Sequence, residues 1–234
     1  MISVNGNNCL DAWKAGCETL LSNGKDVFNL VTTIQNPAYL HNDWLSIYNP
    51  KVINHKSASL SDVINTIFPY RLNNYTTREE LYAYYLSLHR SGKRLGCKKK
   101  NLWGTYFERM ISFGSEQINQ IEEIIDVITS DSRHLKALNP IHITSCEYDS
   151  LRKRLGNPCL QYVQFTFPSK NIIDVSVVYR NHDFLNKALG NFIGLGQLLL
   201  FIAKSTDKQA GQLTCLSTHA FTDYKRNLAK LAGI

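Results

Sequence analysis

The sequence predicts an α+β domain, and three features predict it. "LQYVQFTF" and "IIDVSVVYR" each alternate apolar and polar residues and are separated by "PSKN", the pattern of two antiparallel strands joined by a short turn. "DFLNKALGNFIGLGQLLLFIAK", 183–204, is apolar nearly all round, as in a helix buried inside a protein. "GQLTCLSTHAF" alternates again and gives a third long strand. Helices mixed with adjacent antiparallel strands define the class. The chain has 234 residues and no internal repeat or low-complexity linker, so one domain over 1–234 is the simpler organisation.

The earlier elements follow from local chemistry. A helix is expected at 10–21, stopped by Asn23 and Gly24. "VFNLVTTI" reads as a strand and "WLSIYNP" as another short one. "SLSDVINTIF" is helical until Pro69, which has no N–H to continue the ladder. "TTREELYAYYLSLHRSG" begins with a threonine cap and carries Glu79 and Glu80 in its first turn, where the helix dipole favours acids. Between 116 and 129, Ile118, Ile121, Ile124, Ile125 and Ile128 recur at helical spacing.

Composition narrows the class of function. With 44% hydrophobic and 19% charged residues, the chain can bury a core and is not of the disordered type. The N-terminus lacks the basic-then-apolar pattern of a signal peptide, and the longest apolar run, "LLLFIA", is too short to span a bilayer. A cytoplasmic protein with no membrane partner is the expectation. The six cysteines (Cys9, Cys17, Cys97, Cys146, Cys159 and Cys215) form no C-x-x-C pair and no zinc spacing, so free thiols and no metal site are expected. Part of the +7 formal charge lies in "HRSGKRLGCKKK", 89–100. That run is either a solvated loop or an anion-binding surface for nucleotide phosphates, a polyglutamylated cofactor or RNA. It has no RNP-like aromatic motif beside it. Gly190, Gly194 and Gly196 do not form G-x-G-x-x-G after a strand, which argues against a dinucleotide loop.

The last third places polar residues at the ends of core elements. Cys159 stands directly behind Pro158, at the mouth of a strand. Arg180 ends the next strand, His182 and Asp183 follow it, Asn191 interrupts the buried helix, and His219 is near the end of the third strand. Singly, each has a structural explanation; together they are the residue types of a reactive site. A thiolate attacks electron-poor carbon, and a nearby cation raises the thiolate fraction. Arg180 supplies such a charge and a fork suited to phosphate. Asn191 offers a donor and an acceptor side by side, matching the N–H and C=O edge of uracil. His219 is a candidate to hold a sugar hydroxyl.

In order and spacing, "NPCLQYVQF", "YRNHD", the Asn of "GNFIGL" and "LSTHAF" resemble the thymidylate synthase family. "WGTYFERM" resembles that family's tyrosine- and glycine-rich segment, and "INQIEEIIDVITSDSRHL" its helix followed by paired arginines. The resemblance spans about 103–221 and is nearer to the compact archaeal-type synthases and nucleotide hydroxymethylases than to the longer enzymes. It implies a mixed sheet packed with helices and a homodimer formed through the sheet. It also implies transfer of a one-carbon unit to C5 of a pyrimidine nucleotide, through an adduct between Cys159 and C6. The product would be methyl (dUMP to dTMP) or, alternatively, hydroxymethyl on dUMP, UMP or CMP. The carbon donor would be 5,10-methylenetetrahydrofolate or a related methylene-pterin. By the same resemblance Arg180 binds phosphate and activates the thiol, Asn191 reads the base, Asp183 contacts the pterin and His219 holds the ribose. Arg133 reaches the phosphate in the partner's site.

Several family features are altered. The stretch "VTTIQNPAY" has no arginine phosphate loop, His134 stands where a second arginine is expected after Arg133, Phe221 replaces a tyrosine, and Asn181 replaces a serine. The long tail that closes over folate in the larger enzymes has no counterpart before Ile234. A lost charged hydrogen bond to phosphate costs about 1.5–3 kcal/mol, and two such losses weaken binding on the order of a hundredfold. Arg109 or the basic run is the expected substitute ligand. Asp62 and Glu80 are candidates for the family's catalytic glutamate. A non-catalytic nucleotide- or RNA-binding homologue is the reading from a different functional class.

Overall fold

Residues ahead of the first expected helix already pair in the sheet: β1 (Ile2–Gly6) lies parallel to β2 (Asp26–Ile34), with α1 (Cys9–Ser22) as the crossover between them. The Asn8 side chain starts α1 by accepting from the N–H groups of Leu10 and Asp11 at 2.9 and 3.0 Å. A computed structural model describes residues 2–72, 77–90, 103–130, 136–147, 149 and 156–234.

The segment "WLSIYNP" is not a strand. It forms α2 (Trp44–Ile47) and opens α3 (Pro50–Ile53). Pro50 takes the first helical position, where its missing N–H costs nothing, and Asn49 caps it by accepting from Lys51 N–H at 3.3 Å. Next come α4 (Leu60–Ile67), a 3₁₀ turn at Tyr70–Leu72, and α5 (Arg78–Arg90). In α4 Ser59 and Asp62 form a reciprocal capping box. Asp62, a candidate catalytic acid, is therefore committed to a helix end, whereas Glu80 lies exposed in the first turn of α5. After α6 (Tyr106–Ile111), helix α7 (Gln120–Ser130) starts later than the isoleucine spacing predicts. Asn119 accepts from Glu122 N–H at 3.1 Å and sets the start, which leaves Ile118 to bridge back to Phe113.

The remaining elements are β3 (Ile141–His142), β4 (Leu160–Ser169), β5 (Ile172–Tyr179), β6 (His182–Asp183), α8 (Ala188–Ser205), β7 (Gln209–Phe221) and α9 (Lys225–Ala232). The expected hairpin is the antiparallel pair β4–β5. The seven strands make one mixed sheet, ordered β1-β2-β7-β5-β4-β3, with β6 beside the end of β7. β5 and β7 are parallel and are joined by α8, a second crossover unit. The molecule is thus α+β in broad class, with helices packed on a mixed sheet.

α8 is the central helix, buried over most of its length. It approaches α4 closely because a Cβ on Gly190 would come within 2.7 Å of Val63, and one on Gly194 within 2.9 Å of Ile67. Trp13 of α1, fully buried, donates from Nε1 to the Phe184 carbonyl at 2.8 Å, tying α1 to the segment that enters α8. The sheet's other face is half-exposed. One residue row crosses it as His142–Tyr162–Val178–Leu216–Val31–Ser3, apolar in its middle.

Candidate functional site

The loop carrying Cys159 turns at Gly156, whose φ of 93° suits glycine. It is then clamped from the neighbouring strand. Arg180 donates from Nε to the Pro158 carbonyl at 3.0 Å and from Nη2 to the Asn157 carbonyl at 3.1 Å. The Arg180 N–H bonds the Cys159 carbonyl at 2.9 Å. From the other side, the Tyr106 hydroxyl of α6 accepts from the Cys159 N–H at 3.3 Å. Cys159 is therefore held by its backbone, half-buried, directly before β4.

Three charges act on its thiol. Burial pushes the thiol pKa above its usual value; Arg180 and then Lys187 pull it down, and Asp183 pushes it up. Burial wins, so the neutral thiol predominates at neutral pH. Arg180 acts in the expected direction without overcoming desolvation. Arg180 has five N–H donors and gives one from Nε and one from Nη2 to the loop, so the clamp uses only part of its fork.

Asp183 is built into the turn before α8. Its Oδ1 accepts from Leu185 and Asn186 N–H, both at 3.0 Å, and its Oδ2 accepts from the Asn186 amide at 2.8 Å. Burial raises its pKa, and these bonds pull it back only in part. A carboxylate oxygen accepts about two hydrogen bonds, so Oδ2 keeps one further acceptor position.

Asn191 is buried in α8, 4% exposed, and its Nδ2 lies 3.1 Å from His182 Nε2. His182 Nδ1 lies 2.8 Å from Ser217 Oγ on β7. The His182 ring stacks on Tyr179, with centroids 4.1 Å apart and planes 4° apart. Burial pushes the His182 pKa down to about 3, so the ring is neutral. Tyr179 carries a buried hydroxyl with no hydrogen-bond partner among the described residues. It lies within electrostatic range of Tyr106, Cys215 and Cys159. An orphaned buried hydroxyl costs about 1–3 kcal/mol.

The other expected residues are placed differently. His219 is stacked between Phe28 and Phe221, at 5.0 and 5.2 Å, and both ring nitrogens are engaged at 2.8 Å, Nδ1 by Asn181 Oδ1 and Nε2 by Asp26 Oδ1. A ribose hydroxyl would have to displace one of these. Arg109 does not join the set: it is buried, forks onto Asp149, and donates to the carbonyls of Ile143 at 2.7 Å and Trp103 at 3.0 Å. Its charge is neutralised inside the protein rather than offered to a phosphate. Arg133 and the side chains of the basic run 89–100 lie outside the described residues.

Cys159, Arg180 and Asp183 are thus brought together, with Asn191 linked to them through Tyr179 and His182. Sequence reasoning gave no role to Tyr106, Lys187, Tyr179, Ser217 or Asp26. Tyr106 sat in the tyrosine- and glycine-rich segment and Tyr179 on the apolar face of its strand, and only the packing of α6 against the Cys159 loop gives the former a role. In comparisons with known proteins, no family model matches the chain, and no curated protein matches it.

Proposed function

We propose that this protein is a thymidylate synthase-type transferase that adds a one-carbon unit to C5 of a pyrimidine nucleotide, with Cys159 as nucleophile. The observation that carries the proposal is the cluster at the mouth of β4. There a backbone-clamped, half-buried cysteine lies within electrostatic range of Arg180, Lys187 and Asp183, beside the orphaned Tyr179 hydroxyl.

In this mechanism Cys159 gives its proton to solvent water as the nucleotide binds, and the thiolate forms a bond from Sγ to C6. The C5–C6 π electrons move toward the C4 carbonyl, making C5 nucleophilic. The nucleotide phosphate, held by the free donors of Arg180, adds no thiolate stabilisation of its own; Arg180 and Lys187 provide that. The buried Asn191 amide orients the uracil edge, and Asp183 Oδ2 receives a pterin N–H. A bound methylene-pterin supplies the one-carbon unit and, for a methyl product, the hydride. After transfer, C5 gives up its proton to water; the C5–C6 double bond re-forms and expels the Cys159 thiolate, which takes a proton back from water. A homodimer through the half-exposed sheet face, with Arg133 reaching the partner's phosphate, belongs to the same proposal.

The test is tritium release from C5-labelled dUMP, UMP and CMP with a methylene-pterin present. Wild type should release tritium from one of them, and Cys159→Ala should release none. Product mass separates methyl from hydroxymethyl. Two observations favour a binding homologue instead: burial outweighs the nearby cations at the Cys159 thiol, and both His219 nitrogens are occupied. That reading expects nucleotide binding without tritium release, and binding that survives Cys159→Ala.

A further inference from the structure

The candidate site opens beside a row of cations that, Lys187 apart, its chemistry does not use. Lys187 stands exposed just before α8, within electrostatic range of the Cys159 thiol. Its neighbour Asn186 accepts from the Ser57 hydroxyl at 2.8 Å, which ties the loop after α3 to the entrance of α8. That loop carries Lys56 and α3 carries Lys51, both exposed. α3 packs in turn against α9, where Lys225, Arg226 and Lys230 are all exposed. The segments 50–57, 185–187 and 222–232 hold six lysines and arginines against one acid, Asp223, so this is not the mixed-sign surface of an ordinary solvated face. Among the described residues none of the six makes an ion pair. Tyr224, 56% exposed directly before α9, adds an open aromatic ring next to Lys225 and Arg226 in the chain. Cations that follow a phosphate backbone and a ring on which a base stacks are the recognition set for a single strand.

We infer that α9, α3 and the loop entering α8 form a basic belt that binds single-stranded nucleic acid, and that the pyrimidine reaches Cys159 as part of such a strand. The belt is a property of the surface itself; the second half of the inference rests on the nucleotide reading above. That reading favours a strand over other polyanions, because the belt ends at the mouth of a site suited to a base, and a bilayer seated on the belt would cover that mouth. It favours a single strand over a duplex, because Asn191 is buried and a base must leave its stack to reach it, which costs least where no pairing has to be broken.

The test is fluorescence anisotropy with labelled oligouridylate and oligodeoxyuridylate of about twelve residues, and with dUMP as competitor. Wild type should bind at least one of the strands about tenfold or more tighter than dUMP. Its affinity should fall on the order of a hundredfold between 50 and 200 mM salt, as about five neutralised phosphates require. The triple charge reversal Lys51→Glu, Arg226→Glu and Lys230→Glu should weaken strand binding by about tenfold or more and leave dUMP binding unchanged, since none of the three belongs to the candidate site. Strands bound no more tightly than dUMP, or bound equally by the folded variant, overturn the inference. If the triple variant does not fold, Tyr224→Ala decides at an exposed position: a strand affinity reduced about tenfold supports the inference, an unchanged one overturns it. Binding to phosphatidylserine vesicles in place of the strands also overturns it.

Strands whose uracil carries tritium at C5 then separate the two halves, with a methylene-pterin present. Release that requires Cys159 and is faster from the strand than from dUMP at equal concentration supports presentation by a strand. Release from dUMP alone overturns presentation and leaves the nucleotide reading intact. Belt-dependent strand binding without release from any substrate defeats the nucleotide reading alone, and the belt then stands as a nucleic-acid surface.

Discussion

At the scale of single residues, the chemistry turns on how burial competes with charge. The Cys159 thiol is a direct case, since desolvation raises its pKa further than Arg180 and Lys187 lower it. Alkylation of Cys159, followed by peptide mass after iodoacetamide, should therefore be slow at pH 7 and accelerate only above the range of an ordinary thiol. Arg180→Met should slow it further at every pH; equal rates in the two proteins would show that Arg180 exerts no field at the sulfur. His182 works in the opposite direction, because burial holds its folded pKa near 3 against 6.5 for the ordinary side chain. A depressed histidine favours the folded state above pH 6.5, where it is neutral in both states. That contribution is lost as pH falls from 6.5 toward 3, at about 1.4 kcal/mol per pH unit. Asp183, with its raised pKa, contributes with the reverse sign. The difference between wild type and His182→Phe in urea unfolding at pH 7.5 and 5 isolates the histidine. A pH-independent difference would mean that His182 binds its proton as readily folded as unfolded.

At the scale of elements, helix starts are fixed by side chains that also serve the interior. Thr105 caps α6 by accepting from Glu108 N–H at 3.1 Å, and Glu108 answers at the Thr105 N–H at 3.2 Å. The same hydroxyl meets the buried Tyr85 hydroxyl at 2.7 Å. α6 presents the Tyr106 hydroxyl to the Cys159 backbone, so its start bears on the candidate site as well as on stability. Thr105→Ala should cost about 2 kcal/mol in denaturant unfolding, above the ~1 kcal/mol of an ordinary cap, because a buried hydroxyl loses a partner too. Strand geometry is equally specific. Asn29, at φ 54°, sits in β2 between two stretches of alternation that differ by one residue: Val27 is buried and Phe28 exposed, whereas Leu30, Thr32 and Ile34 are buried. β7 makes the matching change between Ser217 and Ala220. That paired irregularity, a bulge in effect, turns His219 onto the half-exposed face with Phe28 and away from the Cys159 cluster.

At the scale of the whole molecule, helices cover one face of the sheet and leave the other half-exposed. Its middle row, Tyr162–Val178–Leu216–Val31, is apolar, while the next row, Gln164–Ser176–Thr214–Thr33, is polar. An apolar row bordered by polar ones is suited to self-association, in line with the proposed homodimer. Leu216→Lys places a charge at the centre of that row. It should convert a dimer to a monomer in sedimentation equilibrium while leaving the melting transition cooperative. A wild type that sediments as a monomer would rule out the sheet-mediated dimer. The +7 charge adds general repulsion between copies, so association should strengthen with salt.

Periodicity alone determined the class and most of the elements. The β4–β5 pair, α8 and β7 were legible because alternation and all-round apolarity are properties of a single segment. Cys159, Arg180, Asp183 and Asn191 were legible as reactive types at the ends of such segments. Pairing was not legible. β1 has only five residues, and "WLSIYNP" has an apolar pattern as short as a strand's; only capping by Asn49 and Pro50 made its end helical. Nor does sequence reveal which charges neutralise each other. Arg109 and Asp149 lie 40 residues apart, and His219 and Asp26 lie 193 apart. Whether an arginine or histidine is a free ligand or a spent one depends on what the fold brings against it. The tertiary structure alone decided that Arg109 is spent, that Arg180 clamps the loop it was expected to activate, and that the Asn191 amide is held through His182. Hydrogen bonds and burial act over a few ångströms in space, and sequence spacing does not encode that distance.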